Sequence, residues 1–268
     1  MSSSTISKPT DVSFLISHGY SFGAKVGGTS VAKAKFGETN LACKIVSEKS
    51  FDIDAIKMLN HQHIIPVHSI LQNSSCVAMF LQWTDSGNIM NHLRTLGAIK
   101  EGQAKFWFNQ IVSAIKYLHQ RDLAHCSLRC DDLLICKENL KVSGLDKIRR
   151  CNGDQKILIK HSDKMYKFYL SPEVNNRELT DPRKCDVYAL GSILFMMLNL
   201  KIPFNDIDDA AQLYKNQMKR RYYLTTSNVS TLSVDCQVVI HTLLEPNQDI
   251  RYGIDKIQDL KWFEKFQN

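Results

Sequence analysis

The sequence predicts an α+β chain in which strands come first and helices follow, and three observations carry that prediction. Short apolar runs rich in β-branched residues crowd the first third, at residues 41–46, 64–71 and 76–82. From about Asn88 the period changes. Ala104, Phe108, Ile111, Ile115 and Leu118 recur at spacings of 4, 3, 4 and 3, which sets them on one helix face. Between the two regimes stands Gln82-Trp83-Thr84-Asp85-Ser86-Gly87, where Ser and Gly directly follow the last strand, as a hinge requires. Strands and helices segregated in this way define α+β rather than alternating α/β.

In chain order, residues 1–15 read as a flexible lead-in, polar from Met1 to Thr10 and without the apolar stretch of a signal peptide. Residues 16–84 form a small strand-rich part and residues 85–268 a larger helical part. Within the latter, residues 186–200 are apolar on nearly every side, which suits a helix buried at the centre. Two amphipathic helices are expected over 232–244 and 255–266. With 268 residues, 44% of them hydrophobic, the chain can bury a substantial core.

No run approaches the roughly 18 apolar residues of a membrane helix; residues 187–200 come nearest and are broken by Tyr188, Gly191, Ser192 and Asn199. The expectation is an intracellular, cytoplasmic protein, with nuclear entry left open and no membrane partner. The eight cysteines, at 43, 76, 126, 130, 136, 151, 185 and 236, form no CxxC and no secreted-scaffold spacing. Cys126 and Cys130 lack a second Cys/His pair, so buried thiols are preferred to a zinc half-site. The net charge of +7 is modest. Its densest run, Lys215, Lys219, Arg220 and Arg221 before Tyr222 and Tyr223, reads either as a nucleic-acid patch or as the solvated end of a helix, where the dipole favours cations. The second reading is preferred, and no nucleic-acid partner is expected.

Two stretches carry the chemistry. His125-Cys126-Ser127-Leu128-Arg129-Cys130-Asp131-Asp132 resembles the catalytic loop HRDLKxxN of eukaryotic protein kinases, and Ser143-Gly144-Leu145-Asp146 resembles their metal loop DFG. The likeness covers residues 19–263. Gly19-Tyr20-Ser21-Phe22-Gly23, Ala42-Cys43-Lys44 and the Cys130-Asp131 spacing are most similar to the testis-specific serine/threonine kinase group. The resemblance implies a two-lobed protein kinase fold: a small, mostly antiparallel β N-lobe with one helix, and a large, mainly helical C-lobe.

It also implies roles for individual residues. Gly27 matches the first glycine of the phosphate-cradling loop, Thr29 and Ala32 replace the other two, and Ala34 takes the place of the valine that covers adenine. Ala42 and Lys44 match the VAxK strand, with Lys44 set to pair the α- and β-phosphates and Asp52 its helix partner. Leu81 stands at the gatekeeper, Thr84 offers the backbone N–H for adenine, Leu134 packs below the base and Asn88 lies near ribose. Arg129 keeps the charge of the loop lysine, and Asp132, in the asparagine position, retains a carboxylate able to ligate a metal. Cys126 replaces the arginine that reads a phosphorylated activation loop. His125, Leu145, Glu173 of Ser171-Pro172-Glu173, Asp186 of the segment through Gly191, and Arg251 are the fold-holding positions.

Two replacements decide the functional expectation. The family sets an aspartate where this chain has Ser127, and another where it has Gly144. A neutral hydroxyl cannot take the substrate proton as a carboxylate does, and glycine cannot bridge a metal to phosphates; Asp146 could do so only by a slip of register. The expected function is a catalytically impaired kinase domain, binding ATP and Mg²⁺ weakly or not at all. It would act as a scaffold or regulator for other proteins, such as a related active kinase or its substrate, with a place in sperm development implied by the closer resemblance alone. Two alternatives stand beside it: an atypical active serine/threonine kinase using Asp132, and a switch that senses ATP without hydrolysing it.

Overall fold

The computed structural model describes residues 9–25, 31–46, 52–74, 77–153, 155–159, 167–204, 209–222 and 232–264. The chain divides into two compact units, Met1–Asp85 and Ser86–Asn268. The N-terminal unit begins with α1 (Pro9–Ser17) and continues through β1 (Tyr20–Lys25), β2 (Val31–Phe36), β3 (Thr39–Val46), α2 (Ile53–Lys57), β4 (Val67–Gln72) and β5 (Val77–Gln82). The strands form one antiparallel sheet in the order β1-β2-β3-β5-β4.

Of the flexible lead-in expected over residues 1–15, residues 1–8 lie outside the described residues, and helix α1 corrects the expectation from Pro9 onward. Leu15 is fully buried in a cluster with Tyr20, Leu41, Cys43, Ile45 and Phe80, so the end of that segment is anchored by apolar burial. Tyr20 stacks on Phe80 with centroids 3.7 Å apart, and its hydroxyl pairs with Ser69 Oγ at 2.6 Å. The strand expected over 64–71 starts later, at Val67, because Pro66 has no N–H to give a ladder. Ile64 and Ile65 are nevertheless buried.

Register decides which residues share a face of this sheet. Phe36 pairs with Thr39, leaving Gly37 and Glu38 as a two-residue turn, with Gly37 at φ +56° as a tight hairpin requires. From there the pairing runs Lys35↔Asn40, Ala34↔Leu41 and Lys33↔Ala42. Directly paired residues point the same way, and a one-residue slip moves every side chain to the other face. Ala34 therefore faces with Leu41 and Cys43 into the α1 side of the core, opposite to Ala42 and Lys44. This corrects the assignment of Ala34 as a cover for adenine; Lys33 holds the Ala42 side instead.

The C-terminal unit contains α3 (Ile89–Leu96), α4 (Glu101–His119), β6 (Leu123–Ala124), β7 (Leu133–Cys136), β8 (Asn139–Val142), β9 (Arg149–Arg150), α5 (Pro172–Asn175), α6 (Pro182–Asn199), α7 (Ala210–Met218), α8 (Val234–Leu243) and α9 (Ile254–Ile257). Ala104, Phe108, Ile111, Ile115 and Leu118 of α4 are all fully buried. Helix α6 is buried on nearly all sides. It crosses α8 closely, since a Cβ on Gly191 would come within 2.9 Å of Leu243 and Leu244. The helix expected over 255–266 is instead α9 followed by a 3₁₀ turn at Lys261–Phe263. That break lets neighbouring Trp262 and Phe263 both meet Phe108, at centroid distances of 6.0 and 6.1 Å. Among the described residues no helix is long and apolar enough to cross a membrane. The basic run lies at the end of α7, where Arg220 is ion-paired with Glu245 and Tyr222 pairs with His241 Nδ1 at 3.0 Å.

Candidate functional site

In the N-terminal unit, β3 puts Ala42 and Lys44 on one face, and Ala42 pairs with Leu81 of β5 on that same face. Thr84 lies two residues beyond β5 and is half-buried. Asp52 is the N-cap of α2 rather than a residue on its flank. Its Oδ1 accepts from Ala55 N at 2.8 Å, satisfying a donor the first turn leaves open. Gly27 and Thr29 lie outside the described residues.

In the C-terminal unit, the loop after β6 is pinned from below by Asp186. His125 N and Cys126 N donate to its two carboxylate oxygens at 2.7 and 2.8 Å, and His119 Nε2 lies 2.9 Å from one of them. Cys126 sits at φ +62°, a left-handed conformation that costs a non-glycine residue about 1–2 kcal/mol. The paired Asp186 contacts hold it there. His125 Nε2–H donates to the Ser143 carbonyl at 2.6 Å, joining this loop to the one that carries Gly144.

Ser127 follows this anchor. It is 4% exposed, and among the described residues its hydroxyl has no hydrogen-bond partner. It borders a cavity of about 10 Å³ whose other walls include Leu128, Ile159, Leu170 and Val174. A charge introduced here would lose most of its water. Cys130 N donates to Tyr169 Oη at 3.4 Å. Burial pushes the thiols of Cys130, Cys151 and Cys185 up to about 12 and that of Cys126 well above its usual range. Burial thus favours the protonated thiols near neutrality.

Asp132 closes the 3₁₀ turn Cys130–Asp132. Its backbone carbonyl accepts from Ser143 N at 2.7 Å and Ser143 Oγ at 3.0 Å, and its Oδ2 accepts from Arg129 Nε at 3.3 Å. Gly144 follows Ser143 at φ +78°. A Cβ built on Gly144 would lie 2.8 Å from both Cγ and Oδ1 of Asp132. The Asp132 carboxylate thus fills the space a side chain at position 144 would need. Leu145 and Asp146 are buried in the next 3₁₀ turn. Leu134, on β7, forms an isolated bridge with Asn88, whose side chain caps α3 by accepting from Asn91 N at 2.8 Å.

Farther on, Glu173 and Arg251 form a bidentate pair at 2.7 and 3.0 Å. The remaining guanidinium donors meet the carbonyls of Glu245, Lys184 and Pro246. Residues 27–263 match the protein kinase domain family. The chain belongs to that family. It is 27% identical to testis-specific serine/threonine-protein kinase 1 of Mus musculus over 95% of this chain and 74% of the relative. It is also 27% identical to testis-specific serine/threonine-protein kinase 3 of Homo sapiens, over 93% and 97%. CBL-interacting protein kinase 10 of Oryza sativa subsp. japonica is 28% identical over 84% of this chain and 49% of its own length.

For a kinase domain, the fit of a divalent ion turns on carboxylates at the two loops. This one has Asp132 alone of that pair, already engaged by Arg129 and packed on Gly144. Among the described residues no three His, Cys, Asp or Glu side chains converge as a metal site. Asp132 is thus the carboxylate at these two positions left to hold a divalent ion, and Gly144 offers no second one.

Three contacts in this site were not anticipated by motif: His119 on Asp186, the Ser143 tie to Asp132, and the packing of Asp132 on Gly144. The last is testable. Gly144→Ala should cost about 1–3 kcal/mol, from backbone strain and from overlap. Asp132→Ala in the same chain should recover at least about 1 kcal/mol of it in a urea-denaturation cycle. Simple additivity of the two substitutions would show that no overlap exists.

Proposed function

We propose that this kinase domain transfers phosphate poorly or not at all and works by binding a protein partner, a related active kinase or its substrate being the fitting class. The observation that carries this reading is joint replacement at the two chemical positions. Ser127 presents a buried neutral hydroxyl, and Gly144 presents no side chain in a space taken by Asp132. Losing positioned acid–base help lowers a rate by roughly 10²–10⁴, or about 3–5 kcal/mol of barrier. Losing metal neutralisation of the transferring phosphoryl group compounds it. Meanwhile Glu173, Asp186 and Arg251 keep their bonds, so the replacements spare the residues that hold the fold. ATP and Mg²⁺ binding is accordingly weak or absent. The similarity to testis-specific kinases makes germ-cell extracts the first source in which to seek the partner, with a role in sperm development as the corresponding proposal.

The deciding experiment is phosphotransfer from labelled ATP to a generic Ser/Thr substrate, with Mg²⁺ and then Mn²⁺. The expected result is no turnover above background for the full chain. Turnover that vanishes in both Lys44→Ala and Asp132→Ala would establish an atypical active kinase instead.

A further inference from the structure

Lys33 faces the side of the sheet on which a kinase seats its nucleotide. It pairs with Ala42, and Ala42 pairs with Leu81, so these side chains and Lys44 project from one face. The Lys33 ammonium lies over the indole of Trp83, 4.7 Å from the ring centroid. Trp83 follows Leu81 by two residues, so the contact crosses β3 alongside Ala42. The indole is held in turn, since Nε1–H donates to Asp85 Oδ1 at 2.6 Å. We propose that Lys33 and Trp83 form a strap across the base-binding face of the N-terminal sheet, and that Lys33 is the residue that excludes a purine from it.

Adenine recognition in a kinase uses an apolar cover and hinge backbone. Here the cover is a cation already paired with the best aromatic partner a protein offers. An entering purine must take the place of the indole against the ammonium, and must strip water from a charged group whose three N–H donors the stacked face of a base, its ring-nitrogen lone pairs lying in the plane, does not satisfy. The two-residue turn at Gly37-Glu38 is what sets Lys33 on this face and sends Ala34 to the other. The strap rests on the reading above that nucleotide binding is weak, and supplies its cause.

Adenosine is the suitable probe, because it carries neither phosphate to attract lysines nor any need of metal. Thermal-shift and calorimetric titrations should find no binding to the parent chain at millimolar adenosine. Lys33→Val places a strand-favouring apolar residue at an exposed position. It should tighten adenosine binding by roughly tenfold or more, while Lys33→Arg, which keeps the cation, should remain unresponsive. Circular dichroism and melting of each variant without ligand confirm that the fold is kept. Binding by the parent as tight as by Lys33→Val overturns the strap, and so does absence of binding in a folded Lys33→Val. Phosphotransfer measured on the same preparations decides the earlier reading independently: turnover in the parent sinks the impaired-kinase proposal and leaves the strap to the adenosine result.

Discussion

Arg251→Ala is expected to destabilise the C-terminal unit by about 3–5 kcal/mol, enough to bring a domain of ordinary stability close to unfolding at 37 °C. Arg251 is 1% exposed and donates to both oxygens of Glu173 and to three backbone carbonyls. The guanidinium also lies 4.9 Å from the Tyr188 ring centroid. Its removal leaves the Glu173 carboxylate, 4% exposed, uncompensated in low dielectric and deprives three carbonyls of their donor. Glu173→Gln should cost less than Arg251→Ala, because an amide oxygen still accepts one of the two bonds and no charge is stranded on the acid side. Urea titrations followed by the fluorescence of Trp107 and Trp262, both buried in this unit, read the two midpoints. Equal midpoints for parent and Arg251→Ala would mean that the pair contributes nothing net to the fold.

Such a pair was legible in the sequence, and the reason differs from element to element. Ser-Pro-Glu followed far downstream by Arg251 is a spacing that a kinase domain imposes, so the motif carried the contact across 78 residues. Helix α4 was legible from its period alone, since a single buried stripe needs no partner to be recognised. The α1 segment was not, because its polar opening masks one anchoring side chain, Leu15, whose burial depends on Tyr20 and Phe80. Ala34 is the instructive error. Val31-Ala32-Lys33-Ala34-Lys35 alternates, and Ala32 and Ala34 are 4% and 3% exposed while both lysines are open to solvent. The period-2 pattern marks the buried face, whereas the glycine-loop motif points to the opposite one. Local periodicity measures register directly, whereas a motif assumes a hairpin of fixed length.

The site divides along the same line. The identities of Ser127 and Gly144 needed no coordinates, and their chemical consequence follows from the absent carboxylates. The way the chain accommodates the loss was illegible. Asp132 and Gly144 are joined through the β7–β8 hairpin and the Ser143 hydrogen bonds, and nothing in the spacing announces that one carboxylate occupies the space denied to another side chain. A side chain introduced at 144 therefore collides with Asp132, and a carboxylate introduced at 127 places a charge where the serine is already only 4% exposed. On the proposed reading, restoring carboxylates at both positions would require several coordinated changes, and the proposed impaired state would not be one mutation deep.

Asp186→Ala tests what holds the loop in that state, and its expected cost is also about 3–5 kcal/mol. Three donors, His125 N, Cys126 N and His119 Nε2, converge on one carboxylate that is 1% exposed. Alanine leaves all three buried and unpaired, and it releases the left-handed turn at Cys126, which then relaxes toward ordinary backbone angles. Two readouts separate this from a general loss of packing. Amide exchange at His125 and Cys126 should accelerate by more than at Ile111 or Ile115 of α4, which are remote from the lost bonds in sequence and held by their own helix. Asp186→Asn should recover about half the stability, since its carbonyl oxygen still accepts one loop amide while its NH₂ faces a second donor. If Asp186→Ala melts with the parent and protects those two amides equally, the carboxylate is not the anchor of the loop, and the retained fold-holding positions lose their place in the argument for a binding role.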